Sequence, residues 1–216
     1  MLTDIKAVIF DIDGTLLDSM WVWTEVDRIY IEKYDLAVPD DFHKAIEGMS
    51  FTETAQYFLD TFPNLHLTIE EVKKEWVELS RELYRTKVKL KPGAKDFLKK
   101  MYEKEIRLGI ATSNTRQLVE EVLEALHVDR FFSAICTACE VKAGKPAPDV
   151  YLKAAEELQV RPENCLVFED VPNGILAGKN AGMRVCAVDD VFSRPYDTEK
   201  RQLADYYIHD YRDICE

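Results

Sequence analysis

Short apolar runs that break off at polar or acidic residues recur along the chain. Ala7-Val8-Ile9-Phe10 stops at Asp11, Leu108-Gly109-Ile110-Ala111 at Thr112, and Cys165-Leu166-Val167-Phe168 at Glu169. Ala134-Ile135-Cys136 and Val185-Cys186-Ala187-Val188 are similar, and Tyr206-Tyr207-Ile208 is a weaker run. Continuous apolar runs of this length predict strands buried on both faces, as in a parallel sheet. Between most of them the apolar spacing lengthens to that of a helix. Residues 93–103 carry Phe97, Leu98 and Met101, and residues 115–126 carry Leu118, Val122, Leu123 and Leu126. Residues 148–158 carry Val150, Tyr151, Ala154, Ala155 and Leu158, and residues 173–181 run up to Gly182, placed as a C′ glycine. Asn114 and Gln117 are spaced as an N-cap and its N3 partner. Strands alternating with helices predict an α/β fold, a doubly wound parallel sheet with helices on both faces.

Residues 18–86 interrupt that alternation and read as helical throughout. Ile69, Val72, Trp76, Leu79 and Leu83 fall on one helical face, and Thr68 with Glu71 forms a capping box ahead of them. The expected organisation is a Rossmann-like core of residues 1–17 and 87–216 with an all-helical cap at 18–86. Linkers fall near Asp18 and at Lys87–Pro92, where Lys91-Pro92-Gly93 punctuates the chain. A small unit on two linkers suggests a hinged lid.

The 216 residues hold 28 Lys+Arg against 40 Asp+Glu, a net charge of −12. This argues against nucleic acid and anionic membrane as partners. No apolar run is long enough to span a bilayer, and Met1–Lys6 does not read as a signal peptide. Five cysteines do not suggest a disulfide framework, and Cys136-Thr137-Ala138-Cys139 lacks the second pair a zinc site needs. The expectation is a cytoplasmic monomer.

In a parallel α/β sheet, ligands bind beyond the carboxyl ends of the strands. Those ends deliver Asp11-Ile12-Asp13-Gly14-Thr15, then Thr112-Ser113-Asn114, Gly144-Lys145-Pro146 after a loop, and Glu169-Asp170. Taken singly, each has a bland reading: a loop, a helix start, a solvated turn. Together they have a physical implication. Two carboxylates about 4 Å apart repel by about 4 kcal/mol at an effective dielectric near 20, so gathering Asp11, Glu169 and Asp170 calls for a cation or raised pKa values. Oxygen-only ligands favour magnesium. Lys145 would offset an anionic substrate's charge, and Thr112 with nearby backbone N–H groups would hold its oxygens. Asp11 and Asp13, at i and i+2, project to the same side of an extended segment, one to attack and one to transfer a proton. Gly14 allows the sharp turn that follows.

With these residues in this order, the whole chain resembles the haloacid dehalogenase superfamily, in the group with a helical cap after the first motif. The four motifs are Asp11-Ile12-Asp13-Gly14-Thr15-Leu16, Thr112 in Gly109–Asn114, Lys145 in Gly144–Asp149, and Phe168-Glu169-Asp170-Val171-Pro172-Asn173-Gly174. The resemblance implies a magnesium-dependent phosphatase acting on a small phosphate monoester such as a sugar phosphate. Asp11 is then the nucleophile that forms an aspartyl-phosphate, and Asp13 the general acid and base. Asp11, Asp13 (through its carbonyl), Glu169 and Asp170 are the metal ligands. Asp11, Gly14, Thr112, Ser113, Asn114 and Lys145 surround the phosphoryl group.

β-Phosphoglucomutase is an alternative reading. The mutase carries a His at the start of the cap and an Arg after its G-x-S segment, where this chain has Trp23 and Phe51, in Gly48-Met49-Ser50-Phe51. Trp23, Gly48 and Phe51 are the candidate specificity residues, with core packing the bland reading of Trp23. A second alternative is a non-catalytic phosphate-binding or signalling domain. The four histidines, His43, His66, His127 and His209, match no motif and read as surface or packing residues.

Overall fold

Apolar side chains alternate between the two faces of one parallel sheet, and each face is covered by helices. In the computed structural model, which describes residues 1–39, 42 and 51–214, the strands are β1 (Ala7–Phe10), β4 (Arg107–Thr112), β5 (Phe132–Thr137), β6 (Cys165–Glu169), β7 (Arg184–Val188) and β8 (Tyr206–Ile208). They form a six-stranded sheet in the order β5-β4-β1-β6-β7-β8, with every neighbouring pair parallel. All six strands lie where the apolar runs predict them. Helices α4 (Ala94–Glu103), α5 (Arg116–Ala125), α6 (Asp149–Glu157), α7 (Pro172–Asn180) and α8 (Asp197–Leu203) connect them. This is a Rossmann-like, doubly wound fold.

One face buries Ala7, Ile9, Val167 and Val185 against Tyr151 and Ala154 of α6, Leu158 just beyond it, and Ile175 and Ala177 of α7. The other carries an aromatic core. Phe10 stacks on Phe168 with ring centroids 5.3 Å apart, Phe97 of α4 meets both edge-on at 6.2 and 5.5 Å, and Tyr211 lies 5.2 Å from Phe168. Such pairs add to the area they bury, because ring edges and faces carry opposite partial charge.

The helix boundaries follow the apolar spacing closely, but the caps differ in one place. The N-cap of α5 is Thr115, whose hydroxyl accepts from the Leu118 N–H, not Asn114. Asn114 is used elsewhere, as described below. Gly182 follows α7 with φ of 76°, as its C′ position predicts.

The chain divides into two compact units: Met1–Met20 with Val88–Glu216, and Trp21–Lys87. The second contains α1 (Trp21–Lys33), α2 (Phe51–Thr61) and α3 (Ile69–Thr86). Its interior is aromatic, with Phe58 4.9 Å from Trp76 and 5.8 Å from Tyr30, both edge-on. Thr68 and Glu71 form the expected capping box on α3. The buried face of α3 is turned from the expected one: Val72, Trp76 and Leu83 are buried with Ser80 and Tyr84, while Ile69 and Leu79 are half-buried.

Residues 18–86 are also not helical throughout. Leu17–Asp18 (β2) pairs antiparallel with Lys89–Leu90 (β3), so the two linkers zip together as a short ribbon. A two-residue strand is below any sequence periodicity.

Phe97 is 4% exposed and touches three rings of the aromatic core. Phe97→Ala should therefore lower unfolding free energy by about 3–5 kcal/mol in urea denaturation; a loss below about 1 kcal/mol would mean that this face contributes little.

Candidate active site

The carboxyl edge of β1, β4 and β6 gathers most of the residues singled out from the sequence. Asp11 continues β1, its N–H donating to the Phe168 carbonyl at 3.0 Å. The chain then wraps around the Ile12 carbonyl, which accepts from the N–H groups of Leu16 and Leu17 at 3.0 and 2.9 Å. Gly14 makes this turn with φ of +77°, and a Cβ there would lie 2.4 Å from Asp170 Oδ2, so the position excludes a side chain on two counts.

Asp11, Glu169 and Asp170 are buried together, and one oxygen from each lies within 4.8 Å of the others. A single ammonium serves two of them: Lys145 Nζ donates to Asp11 Oδ1 at 2.6 Å and to Glu169 Oε1 at 2.5 Å, and to the Ala111 carbonyl at 3.1 Å. The Tyr151 hydroxyl donates to the same Glu169 oxygen at 2.6 Å. The Thr15 hydroxyl donates to Asp170 Oδ1 at 2.9 Å, and Asp170 Oδ2 is buried without a hydrogen-bond partner among the described residues.

Burial is the main reason why Asp170 is pushed well above the ordinary carboxylate range. The charges of Glu169 and Asp11 add to it, and Thr15 partly opposes it. Asp11 is also raised, by burial, although Lys145 opposes the shift. Burial alone would depress Lys145, but Asp11 and Glu169 hold its ammonium above its usual range. Burial and the Glu169 charge raise Tyr151, which stays a neutral donor.

Asp13 belongs to a separate network. Ser19 Oγ donates to its Oδ1 at 2.6 Å, and Asn114 Nδ2 to its Oδ2 at 2.9 Å. The Asn114 amide is oriented by the Thr115 N–H, which donates to Asn114 Oδ1 at 2.7 Å. The Asp13 carboxylate is not part of the acidic cluster. Thr112 is buried, and its hydroxyl accepts from the Asn114 N–H at 3.0 Å, while Ser113 is exposed.

Four further contributors were not singled out from the sequence. Thr15 and Ser19 lie in the first loop, but nothing marks their hydroxyls as carboxylate donors. Tyr151 reads as an apolar core position at helical spacing, which it also is. Gly174 leaves room for the buried Glu169 carboxylate, which a Cβ there would approach to 2.0 Å.

Among the specificity candidates, Trp23 is half-buried on α1, edge-on to Tyr84 of α3 with centroids 6.4 Å apart, a packing contact within the helical unit. Gly48 and the Phe51 side chain lie outside the described residues, as does His43. His66, His127 and His209 are exposed. Cys136 and Cys165 are buried free thiols, each pushed up to about 12 by burial, and Cys139 is exposed. No helix among the described residues is long and apolar enough to cross a membrane.

Residues 8–188 match the family described as haloacid dehalogenase-like hydrolase. The chain belongs to that family. It is 33% identical over 178 residues to a phosphorylated carbohydrates phosphatase of Thermotoga maritima, covering 82% of each chain. It is 35% identical over 198 residues to (DL)-glycerol-3-phosphatase 2 of Arabidopsis thaliana, covering 86% of this chain and 80% of that one. Its structure is similar to that of CbbY from Rhodobacter sphaeroides in complex with phosphate, with a TM-score of 0.82 and 25% identity over 96% and 95% of the two chains.

The residues of this haloacid dehalogenase-like site fit a hard divalent cation. The donors are all oxygen, three carboxylates converge, and one buried carboxylate oxygen lacks a donor among the described residues. Without a cation, the cluster opposes folding as it ionises. Asp11 and Asp170 sit above their ordinary value of 3.8 in the folded chain, so above pH 3.8 the folded state binds more protons than the unfolded one. Stability from this cluster is therefore present at low pH and lost as pH rises through the folded pKa values.

Asp170→Asn, which keeps an acceptor for Thr15, should raise the melting midpoint in EDTA at pH 8 relative to the unsubstituted chain, and by less at pH 5. Magnesium should raise the midpoint of the unsubstituted chain only. A variant less stable than its parent at pH 8 in EDTA would contradict repulsion within the cluster.

Proposed function

We propose that the chain is a magnesium-dependent phosphatase that hydrolyses a small phosphate monoester, such as a sugar phosphate or polyol phosphate, through a phosphoaspartate. The observation that carries this reading is the split between the two aspartates of the first loop. Asp11 lies in a buried acidic cluster beside Lys145, and Asp13 is held apart by Ser19 and Asn114. In this reading one carboxylate attacks and the other transfers a proton. The names of the relatives, a phosphatase of phosphorylated carbohydrates and a glycerol-3-phosphatase, support the substrate class.

In this reading Asp11, Glu169 and Asp170 hold magnesium, with the Asp13 carbonyl as a further ligand. When bound, the ion neutralises charge on the cluster and on the phosphoryl oxygens. The Asp11 carboxylate attacks phosphorus and the ester P–O bond breaks. Asp13 gives its proton to the departing alkoxide, so the alcohol leaves neutral. Water then attacks the phosphoaspartate, Asp13 takes the water's proton, and the bond to Asp11 breaks to release inorganic phosphate. Lys145, Thr112, Ser113 and Asn114 receive the phosphoryl oxygens, placing fixed charge and donors where negative charge is spread; the Gly14 N–H, singled out from the sequence for this role, instead donates to the Leu17 carbonyl at 3.0 Å.

We assign this chemistry to the unit formed by Met1–Met20 and Val88–Glu216, and substrate selection to Trp21–Lys87. The packing of Trp23 on Tyr84 gives no support to a phosphomutase reading that needs a polar group at that position.

Purified protein should release phosphate from a panel of sugar and polyol phosphates in magnesium and not in EDTA. Asp11→Asn should reduce kcat by more than about 10³-fold with an unchanged melting profile, since an amide is a poor nucleophile. Release that persists in EDTA, or in the Asp11→Asn chain, would end this assignment. Conversion of one sugar phosphate isomer to another without phosphate release would favour a mutase.

A further inference from the structure

A second buried charge pair lies at the same edge of the sheet and has no role in the chemistry above. Lys91 Nζ donates to Asp190 Oδ2 at 2.6 Å and to the Asp189 carbonyl at 3.2 Å, and the two side chains are 10% and 3% exposed. Lys91 lies where the chain re-enters the sheet unit just after β3, and Asp190 lies in the loop after β7.

The surroundings of each partner are unequal. Asp190 is anchored without Lys91: its Oδ1 accepts from the Phe192 N–H at 2.9 Å, and its carbonyl from the Ser193 N–H at 3.1 Å. Lys91 instead leads into the acidic loop. Its N–H donates to the Leu16 carbonyl at 2.9 Å, and Leu16 adjoins Thr15, which holds Asp170. The carbonyl of the next residue, Pro92, accepts from the Tyr211 N–H at 3.1 Å, and the Tyr211 hydroxyl donates back to the Thr15 carbonyl at 3.2 Å. Lys91 and Pro92 thus brace the Thr15–Leu16 segment from both sides, and Asp190 is the fixed post to which the brace is tied.

A buried ion pair is a weak device for stability alone, since apolar residues of similar volume do as well. Its strength is a directional, charge-assisted bond.

We propose that Lys91 and Asp190 form a positioning pair for the cation site, holding the Ile12–Leu17 turn so that Thr15 keeps the Asp170 carboxylate beside Asp11 and Glu169. The proposal rests on the magnesium phosphatase reading. Neither residue touches substrate or metal; both act through the turn.

The test is the variant Lys91→Met/Asp190→Asn beside its two single variants. The single Lys91→Met leaves a buried charge unpaired and should lose stability. In the double variant no charge is stranded, and the amide oxygen introduced by Asp190→Asn can still accept from the Phe192 N–H, so the urea midpoint should return towards that of the parent. Its magnesium dissociation constant, measured by calorimetry, should nevertheless rise at least threefold. Phosphate release should need correspondingly more magnesium, with the substrate KM unchanged at saturating metal. A double variant that binds magnesium as its parent does, with the singles differing only in urea midpoint, would overturn the proposal and leave the pair a purely structural contact. Calorimetry reads metal affinity without turnover, so a parent chain that binds magnesium but releases no phosphate would end the phosphatase reading while this comparison still stands.

Discussion

A shortage of positive charge governs this molecule. Three buried carboxylates, Asp11, Glu169 and Asp170, meet one buried ammonium, Lys145, which already divides itself between two of them. Each nearby oddity answers that imbalance. Tyr151, a core residue on α6, directs its hydroxyl to Glu169; Thr15 directs its own to Asp170; Gly174 has no side chain, so the Glu169 carboxylate has space. Asp170 Oδ2, over Gly14, is buried without a donor among the described residues. Fold stability and the capacity for a cation are therefore two aspects of one electrostatic problem. The arrangement is least comfortable folded, ionised and metal-free.

The two aspartates of the first loop show how little sequence separation chemistry needs. Asp11 is still part of the sheet, bonded through its backbone to Phe168, and inherits the low-polarity surroundings of the strand ends. Two residues later the turn has carried Asp13 to hydroxyl and amide donors from Ser19 and Asn114. The same side-chain type thus meets two settings: Asp11 is buried beside Lys145 and Glu169, and Asp13 accepts from a hydroxyl and an amide.

What could be read in advance follows from the range of the interactions concerned. Strands β1, β4, β5, β6 and β7 and helices α4 to α7 were legible because buried apolar positions repeat at a fixed period, and α3 was legible from its capping box. The placement of Asp11, Lys145, Glu169 and Asp170 at one edge followed from the carboxyl ends of parallel strands. The misses are local choices or long-range contacts. Asn114 and Thr115 are both competent caps, and the demand of Asp13 for a donor, 101 residues away in sequence, goes with Thr115 serving as the cap. Ser80 and Tyr84 take buried positions on α3 where Ile69 and Leu79 fit the simple period. The β2–β3 ribbon is held by pairing between Leu17–Asp18 and Lys89–Leu90, which no window along the chain contains. Ser19, Tyr151 and Gly174 matter only through partners that the tertiary fold supplies.

The strand order has a consequence for how the chain is made. β1 lies in the middle of the sheet, and its two neighbours are β4, beginning at Arg107, and β6, beginning at Cys165. A ribosome delivers Ala7–Phe10, apolar on both faces, and then makes all of Trp21–Lys87 before either neighbour exists. The intervening unit has an aromatic interior of its own, while the first strand must wait with its backbone edges open. Contacts so distant in sequence make closure of the sheet slow. The acids Asp11 and Asp170 consequently do not meet until the last strand neighbour of β1 has been synthesised.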